Sequence, residues 1–174
     1  MELKDSEHVY SPREDSKLLQ RVVEEYMKKF KPNRVLDMGT GSGIQAIVAK
    51  KSYADSEVSG ADINPMAIDL ANENAKLNSV AIKFFVSDLF ERFQDQKFDL
   101  IIFNAPYLPP EPPLDPIWSG GEQFIMKFIK LAREHLNPNG KILFVYSSKS
   151  PVKFKHKIVA ETKVFFETLY VAEA

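Results

Sequence analysis

Four residues that follow an apolar strand carry the functional groups needed to hold a planar NH2 group. Asn104-Ala105-Pro106-Tyr107 comes directly after the apolar segment 98–103. The Asn104 side-chain oxygen and the Ala105 backbone carbonyl can accept two N–H hydrogens, and Tyr107 adds an aromatic wall. Because the nitrogen lone pair then points at an electrophile, proximity and orientation can replace a strong base. The alternative for a lone Asn-x-Pro-Tyr is a proline turn after a strand.

A glycine loop lies upstream of this tetrad and suits a nucleoside ligand. Asp37-Met38-Gly39-Thr40-Gly41-Ser42-Gly43 has the spacing Gly-x-Gly-x-Gly, which differs from the Gly-x-Gly-x-x-Gly of dinucleotide-binding proteins. Glycines let the backbone turn tightly and approach a ligand closely. The helix that follows offers free N–H groups and the positive end of its dipole. The alternative is a tight strand-to-helix turn without a ligand, and the loop alone does not decide between them.

Three acidic residues, Asp37, Asp62 and Asp88, end successive predicted strands, where parallel sheets bind ligands. Asp37 can accept hydrogen bonds or offset a ligand cation, and Asp62 can accept both ribose hydroxyls. Asp88 can accept from an adenine amino group while Leu89 packs on the ring. The alternative is that Asp62 and Asp88 cap local structure, although Asn64 is better placed to cap the next helix. Loop, acids and tetrad together indicate methyl transfer to an amide or exocyclic amine nitrogen.

Composition limits the classes of function. The chain has 174 residues, 44% hydrophobic and 27% charged, which is typical of one soluble globular domain. It has no apolar run long enough to cross a membrane, and its charged start lacks a signal-peptide core, so we expect a cytoplasmic protein. With no cysteine and three scattered histidines, we expect no bound metal. The net charge of −1 favours a protein or small-molecule substrate over nucleic acid.

Strands alternate with helices, which predicts an α/β fold with a Rossmann-like, mostly parallel seven-stranded sheet, helices on both faces and an antiparallel C-terminal hairpin. We expect a single domain over 1–174, with a helical segment at 1–31 and the sheet core at 32–174. A capping box at Ser11-Pro12-Arg13-Glu14 is predicted to start the first helix. The predicted helices are 14–30, 44–51, 65–77 and 123–136, and the predicted strands are 34–38, 58–61, 82–86, 98–103, 141–146, 157–164 and 166–172.

A proline-rich loop at 108–121 follows the tetrad directly, so we expect it to wall the substrate cleft. A stiff surface connector or a polyproline ligand for another domain is the alternative.

These segments resemble class I S-adenosylmethionine-dependent methyltransferases, and more narrowly the HemK-like ones. The similarity is greatest to the short archaeal and eukaryotic type, which methylates the glutamine of the Gly-Gly-Gln motif in peptide release factors. The helical amino-terminal substrate domain of bacterial members is not found in this sequence. The matching segments are Val9-Tyr10-Ser11-Pro12-Arg13-Glu14-Asp15-Ser16, 35–43, Ala61-Asp62-Ile63-Asn64-Pro65, Ser87-Asp88-Leu89, 103–107 and Trp118-Ser119-Gly120-Gly121.

The resemblance implies S-adenosylmethionine as the cofactor and S-adenosylhomocysteine as its product. Ala105 stands where the family usually has proline, and Ser16 where threonine is usual, yet the backbone acceptor and the hydroxyl are kept. The stretch after Ser150 is short, so one late helix is expected to be missing. The implied catalytic residues are Asn104, Ala105, Pro106 and Tyr107, and the implied cofactor-binding residues are Ser16, Asp37, Gly39, Thr40, Gly41, Asp62, Ile63, Asp88, Leu89 and Asn104.

The resemblance also implies two partners: a peptide release factor as substrate and a small zinc-binding activator subunit. The apolar run Phe84-Phe85-Val86, near a predicted sheet edge, would suit the activator, although these residues can equally belong to the core. Two other functions stay open. One is methylation of exocyclic amines in RNA or DNA bases, and the other is a non-catalytic, cofactor-binding scaffold.

Overall fold

The inner strands of the central sheet are largely apolar, as expected where helices cover both faces of a sheet. The computed structural model describes residues 1–107 and 121–174. In these residues the strands are β1 (Arg34–Met38), β2 (Glu57–Asp62), β3 (Lys83–Val86), β4 (Phe98–Phe103), β5 (Leu136–Ser147), β6 (Lys157–Val164) and β7 (Glu167–Glu173). The helices are α1 (Glu14–Phe30), α2 (Ile44–Ser52), α3 (Pro65–Leu77) and α4 (Gly121–Glu134), with a 3-10 turn at Glu91–Phe93.

The seven strands form one sheet in the order β3-β2-β1-β4-β5-β7-β6. Strands β1 to β5 run parallel, and β7 lies antiparallel between β5 and β6. The predicted fold class is therefore confirmed. The carboxyl ends of β1, β2 and β4 meet at one edge of the sheet, and the glycine loop, Asp62 and the tetrad follow these ends.

Alternate residues of β4 belong to two different cores. Leu100 and Ile102 pack with α1 and α2 on one face, while Ile101 and Phe103 pack with α4 on the other. All four side chains are buried. Burying a side chain of this size contributes about 1.5–3 kcal/mol. The strand that carries Asn104 is therefore held firmly from both sides.

The start of α1 differs from the prediction. The residue before the helix is Arg13, and no side chain caps the helix there, so the predicted capping box is wrong. The Ser11 hydroxyl instead donates to the Asp5 carboxylate, at 2.6 and 2.8 Å from its two oxygens. The expected cap of α3 is confirmed, since Asn64 Oδ1 accepts from the Met66 N–H at 3.0 Å.

The start of β5 also differs from the prediction. We expected 137–140 to lie outside the strand, yet β5 begins at Leu136, which pairs with Phe98. The next partners are Leu100 and Lys141, so the residues between form an irregularity within the ladder. A Cβ on Gly140 would lie 2.9 Å from the Phe98 carbonyl oxygen, so a side chain at this position would collide with β4.

The segment between β5 and β6 has no helix, as the short sequence there predicts. Aromatic rings cover the sheet instead: Tyr146 stacks on Tyr170 at 5.0 Å, and Phe154 lies 5.7 Å from Phe144. The proline-rich loop lies outside the described residues, apart from Gly121, and so does Trp118-Ser119-Gly120. Within the described ranges, no helix has the length and apolar character needed to cross a membrane.

Candidate active site

A cavity of about 510 Å³ opens at the carboxyl ends of β1, β2 and β4. Its volume lies in the usual range for small-molecule sites. The fold brings all the sequence-predicted site residues to this cavity, while the roles assigned to them remain predictions. The predicted residues that line it are Ser16, Asp37, Gly39, Thr40, Gly41, Asp62, Ile63, Asp88, Leu89, Asn104, Ala105, Pro106 and Tyr107.

The glycine loop after β1 adopts a backbone conformation that side chains disfavour. Gly39, Gly41 and Gly43 have φ angles of 62°, 52° and 81°. A Cβ on Gly43 would also lie 3.1 Å from the Cβ of Ala71 on α3. Glycine is therefore required here for conformation and for close packing of the loop against α3.

Two carboxylates hold this loop, that of buried Asp37 and that of part-buried Asp62. Asp37 Oδ2 accepts from the Thr40 hydroxyl at 2.7 Å and from the Ala46 N–H at 3.1 Å. Asp62 accepts from the Gly41 N–H at 2.9 Å through Oδ2 and from the Asn64 N–H at 3.0 Å through Oδ1. Each Asp62 oxygen keeps a second lone pair, so the carboxylate can still accept two hydroxyls of a ligand.

Burial changes the acidity of both groups. Loss of solvation raises the pKa of Asp37 to about 7, and the hydrogen bonds from Thr40 and Ala46 limit the rise. Desolvation also raises the pKa of Asp62. A cation bound near Asp37 would favour its ionised form. The cavity therefore suits a positively charged ligand.

Apart from Asn104, two residues that line the cavity have a buried polar atom without a hydrogen-bond partner among the described residues: Ser42, at Oγ, and Gln45, at Oε1. The other end of the Gln45 amide is fixed, since Nε2 donates to the Ser16 carbonyl at 2.9 Å. Unpaired buried polar atoms are costly, so a polar ligand that bonds to them would be stabilised. These atoms, together with the two carboxylates, fit the amino-acid and ribose groups of the implied cofactor.

Asp15 organises the part of the cavity next to Asn104 and Tyr107, and it is not among the site residues predicted from the sequence. Its side chain is only 3% exposed. Oδ1 accepts from the Tyr10 hydroxyl at 2.9 Å and from the Ser16 N–H at 2.6 Å, and Oδ2 accepts from Asn104 Nδ2 at 3.1 Å. The charge of this carboxylate also acts on the Tyr107 phenol and raises its pKa.

A signal for Asp15 was present in the sequence. It precedes Leu18 and Leu19 by three and four residues, so it lies on the apolar stripe of the predicted helix. An acid on that stripe must be buried beside partners, and here its partners belong to the site.

The Asn104 amide has a defined orientation. Its Nδ2 donates to Asp15 Oδ2 and to Ser16 Oγ, both at 3.1 Å. Because an aspartate oxygen accepts hydrogen bonds, the Asn104 atom that faces it must be the NH2 nitrogen. Asn104 Oδ1 is buried and accepts no hydrogen bond from any described residue. The site therefore holds a fixed acceptor without a donor.

The surroundings of Tyr107 disfavour the ionised form of its phenol. Burial raises the pKa of its phenol, and the nearby charges of Asp15 and Glu167 raise it further. The hydroxyl therefore stays protonated at neutral pH. The main chain beside it is also fixed, because the Gly121 N–H donates to the Pro106 carbonyl at 3.1 Å.

The first ten residues form a strap that crosses α3 and reaches the cavity. Asn78 Nδ2 donates to the Glu2 carbonyl at 2.6 Å, and the Lys4 N–H donates to Asn74 Oδ1 at 2.7 Å. Val9 packs against α3 and lines the cavity together with Tyr10. Asn74 Nδ2 also donates to the Ser42 carbonyl at 2.9 Å, which links the strap to the glycine loop.

Comparison with known proteins identifies relatives along the full chain. The model of the family "Methyltransferase small domain" matches residues 2–172. A Methanocaldococcus jannaschii protein, named provisionally as a protein N5-glutamine methyltransferase, is 38% identical over 100% of this chain and 95% of its own length. The release factor glutamine methyltransferase of Geobacter sulfurreducens is 34% identical over 78% of this chain and 52% of its own length.

The same architecture occurs in a solved structure. The ribosomal protein L11 methylase of Lactobacillus delbrueckii superposes with a TM-score of 0.68 at 24% identity, covering 96% of this chain and 82% of that one. At this identity the likeness shows the fold alone. The family match and the relative from M. jannaschii extend over the loop, the acids and the tetrad. The chain therefore belongs to the methyltransferase small domain family and is an S-adenosylmethionine-dependent methyltransferase.

Proposed function

We propose that the methyl acceptor of this enzyme is the side-chain amide of the glutamine in the Gly-Gly-Gln motif of a peptide release factor. The names of the relatives from M. jannaschii and G. sulfurreducens support a glutamine acceptor. The chain spans about half the length of the bacterial relative, so the substrate is a proposal for this shorter protein.

The orientation of Asn104 is the observation that carries this proposal. Its NH2 group is occupied by Asp15 and Ser16, so its oxygen is left for the substrate. That oxygen is buried and has no donor among the described residues. A buried acceptor without a donor costs free energy on the order of 1–3 kcal/mol, which a substrate N–H would recover. A primary amide supplies such a donor and is planar, as the adjacent Tyr107 ring requires.

The proposed mechanism relies on orientation. S-adenosylmethionine supplies, when bound, a methyl group activated by a positively charged sulfur. Asn104 Oδ1 and the Ala105 carbonyl would accept the two N–H hydrogens of the glutamine amide, which directs the nitrogen lone pair at the methyl carbon. Tyr107 would pack on the amide plane. Because its phenol remains protonated, Tyr107 does not act as a base, and the proton displaced from nitrogen would pass to water.

The cofactor would be held by the residues of the loop and the strand ends. We assign Asp62 to the ribose hydroxyls and Asp37 to the cationic amino-acid part. Asp88 would accept from the adenine amino group, with Ile63 and Leu89 against the ring. Ile63 is 67% exposed at the cavity rim, where a bound ligand would cover part of its side chain. The Gly39-Thr40-Gly41 backbone and Ser16 would complete the site.

Methyl transfer from radiolabelled S-adenosylmethionine to a release factor tests this function. The substrates are the natural release factor, a variant in which Gly-Gly-Gln is changed to Gly-Gly-Ala, and bulk RNA. We expect label on the natural factor alone. Label on RNA would instead establish methylation of base amines, and cofactor binding with no transfer to any substrate would indicate a scaffold.

Asn104→Ala is the matching enzyme variant. It should reduce methyl transfer by about 100-fold or more, as loss of one transition-state hydrogen bond does, while S-adenosylhomocysteine still binds. Asn72→Ala serves as its control, because that amide bonds only within its own helix in the described structure, from Nδ2 to the Ile68 carbonyl. Equal loss of binding and transfer in Asn104→Ala would contradict the role of Asn104.

We further propose that a small zinc-binding subunit covers the β3 edge of the sheet, and that the enzyme acts in the cytoplasm with its substrate. In the structure, less of the apolar run on β3 is available for contact with that subunit than the sequence predicts. Phe84 and Phe85 are half-buried, with Phe85 against Phe93 at 5.6 Å, so they belong largely to the core. Val86 is exposed, and β3 is an edge strand.

Coexpression with the subunit should raise the yield and activity of the wild type, and unchanged values would contradict this partner.

A further inference from the structure

The turn between β6 and β7 exposes two consecutive phenylalanines. Phe165 is 98% exposed and Phe166 is 93% exposed. They are the two residues between Val164 and Glu167, which pair with each other as the last rung of the hairpin. Neither ring therefore contributes to the core of the described structure.

The residue types conflict with the turn that they form. Phe165 has a φ of 46°, in the left-handed region, whereas Phe166 does not have a positive φ. Two-residue hairpin turns with a positive φ at the first position strongly favour glycine or asparagine there. A bulky aromatic side chain is strained in this conformation. Since neither strain nor exposure of the rings stabilises the fold, the pair is a candidate for a binding role.

The hairpin tip lies at the same edge of the sheet as the candidate acceptor site. Strand β5 runs parallel to β4 and ends at Ser147, beyond the level of Phe103, and Ser147 pairs with Leu169 of β7. The Ser147 hydroxyl donates to the Glu167 carboxylate, next to the tip. The charge of Glu167 interacts electrostatically with Tyr107 and raises the pKa of its phenol.

The charges around Tyr107 indicate the class of partner. Asp15, Glu167 and Glu14 all raise the pKa of its phenol, whereas the hairpin itself carries the exposed Lys163, which pairs with Thr168. Charges of both signs therefore lie between the acceptor site and the tip, which differs from the basic stripe that nucleic-acid binding requires. A protein surface with an apolar pocket can instead take up the two rings, because burial of aromatic surface supplies much of the affinity of protein interfaces.

We propose that Phe165 and Phe166 form a docking point for the protein that presents the methylated glutamine, outside the catalytic cavity. This inference rests on the proposed function and adds a second contact with the same substrate. The two rings would enter an apolar pocket on the release factor while its glutamine occupies the site beside Tyr107. Docking of this kind lowers KM for the intact protein and leaves the chemical step unchanged.

Steady-state kinetics with the double variant Phe165→Asn/Phe166→Ser test the proposal. Asparagine tolerates the left-handed conformation, so the hairpin should fold and the melting temperature should not fall. The control is Phe30→Ser, which changes a phenylalanine that is 54% exposed at the end of α1, where the chain turns toward the amino end of β1. We expect KM for the intact release factor to rise about tenfold or more in the double variant, with kcat and the Kd of S-adenosylhomocysteine unchanged.

The outcomes separate this proposal from the function on which it rests. If the wild type transfers no methyl group to the release factor, the proposed function fails, and the docking point fails with it. If the wild type is active and the double variant keeps its KM, only the docking point is wrong. A fall in kcat without a change in KM, or a loss of RNA binding with an unchanged KM, would also overturn it.

Discussion

The side-chain amide of Asn104 presents its two polar atoms to different partners in the candidate active site. Asn104 uses its nitrogen for the protein and, in our proposal, its oxygen for the substrate. An amide can rotate by half a turn at little steric cost, so its hydrogen-bond partners decide which atom faces the cavity. Asp15 and Ser16 supply these partners. The polarity of the site therefore depends on a carboxylate that need not touch the substrate.

Asp15→Asn is expected to reduce kcat by about 100-fold, because small displacements of positioning groups have effects of this size. The new NH2 group cannot accept from all the present donors, so the orientation of Asn104 would no longer be unique. The Kd of S-adenosylhomocysteine, measured by calorimetry, should change by less than about threefold, since other residues hold the cofactor. Asp69→Asn, on the exposed side of α3, is the control. A large loss of cofactor binding would show that Asp15 acts on the cofactor instead.

Asp37 predicts a pH dependence of cofactor binding. Its pKa is raised to about 7 by burial. The ionised fraction of Asp37 therefore increases about fivefold between pH 6 and pH 7. The cationic amino group of the ligand favours the ionised form. Binding of S-adenosylhomocysteine should therefore tighten about fivefold over this interval and release a proton, which calorimetry in two buffers detects. In Asp37→Asn the same interval should show little change, and an equal pH dependence there would exclude Asp37.

The Asp37 carboxyl group also affects the free energy of unfolding, but here its contribution falls as pH rises. Since its pKa is raised in the folded state, the folded protein binds the proton more tightly than the unfolded chain between about pH 4 and pH 7. The contribution of Asp37 to the free energy of unfolding is complete below that interval and falls by about 4 kcal/mol at most as pH rises through it. Urea unfolding should show Asp37→Asn gaining stability relative to the wild type between pH 5 and pH 8.

Among the secondary-structure elements, the N-terminal strap and α3 act together. The side chains of Asn74 and Asn78 replace the hydrogen bonds that a neighbouring strand would give to the strap. Because the strap lines the cavity through Val9 and Tyr10, its attachment to α3 should affect how long the cofactor stays bound.

Asn78→Ala tests this coupling. It removes the bonds with the Glu2 carbonyl and N–H, and also those with Lys51 and Asn74, so it should lower the free energy of unfolding by about 1–3 kcal/mol. Hydrogen exchange should become faster in residues 2–9, and S-adenosylhomocysteine should dissociate faster. Asn72→Ala, on the same helix, should change none of the three. Faster exchange with an unchanged dissociation rate would mean that the strap does not retain the cofactor.

The sequence predicted those structural features that depend on neighbouring residues. It did not predict those that depend on residues distant in the chain. The α3 cap is local, and Asn64 revealed it. The irregular start of β5 is not local, because the Leu136–Phe98 pair joins two strands that are far apart in the chain. The bonds of Asp15 to Tyr10 are local, but its bond to Asn104 spans 89 positions. Sequence reasoning therefore found the groups that face the ligand more readily than the group that orients them.

At the scale of the whole molecule, the cavity is built by segments that lie far apart in the sequence. The strap, the glycine loop, the end of β2 and the tetrad each contribute to its wall. Ser42, Gln45 and Asn104 leave buried polar atoms without partners among the described residues, and all three line it. The native state without a ligand therefore carries a local cost that binding would remove.

Binding should accordingly stabilise the entire fold. S-adenosylhomocysteine at 100 times its Kd adds about 2.7 kcal/mol to the free energy of unfolding. In a domain of this length each kcal/mol raises the melting temperature by about 2–4 °C, so calorimetric scans should show a rise of about 5–10 °C. Asn104→Ala should keep this rise, because its oxygen serves the acceptor, whereas Asp62→Asn should lose most of it with the ribose contact. If both variants lost the rise equally, the acceptor and cofactor sites would not be separable, and the assignment of Asn104 to the substrate amide would be wrong.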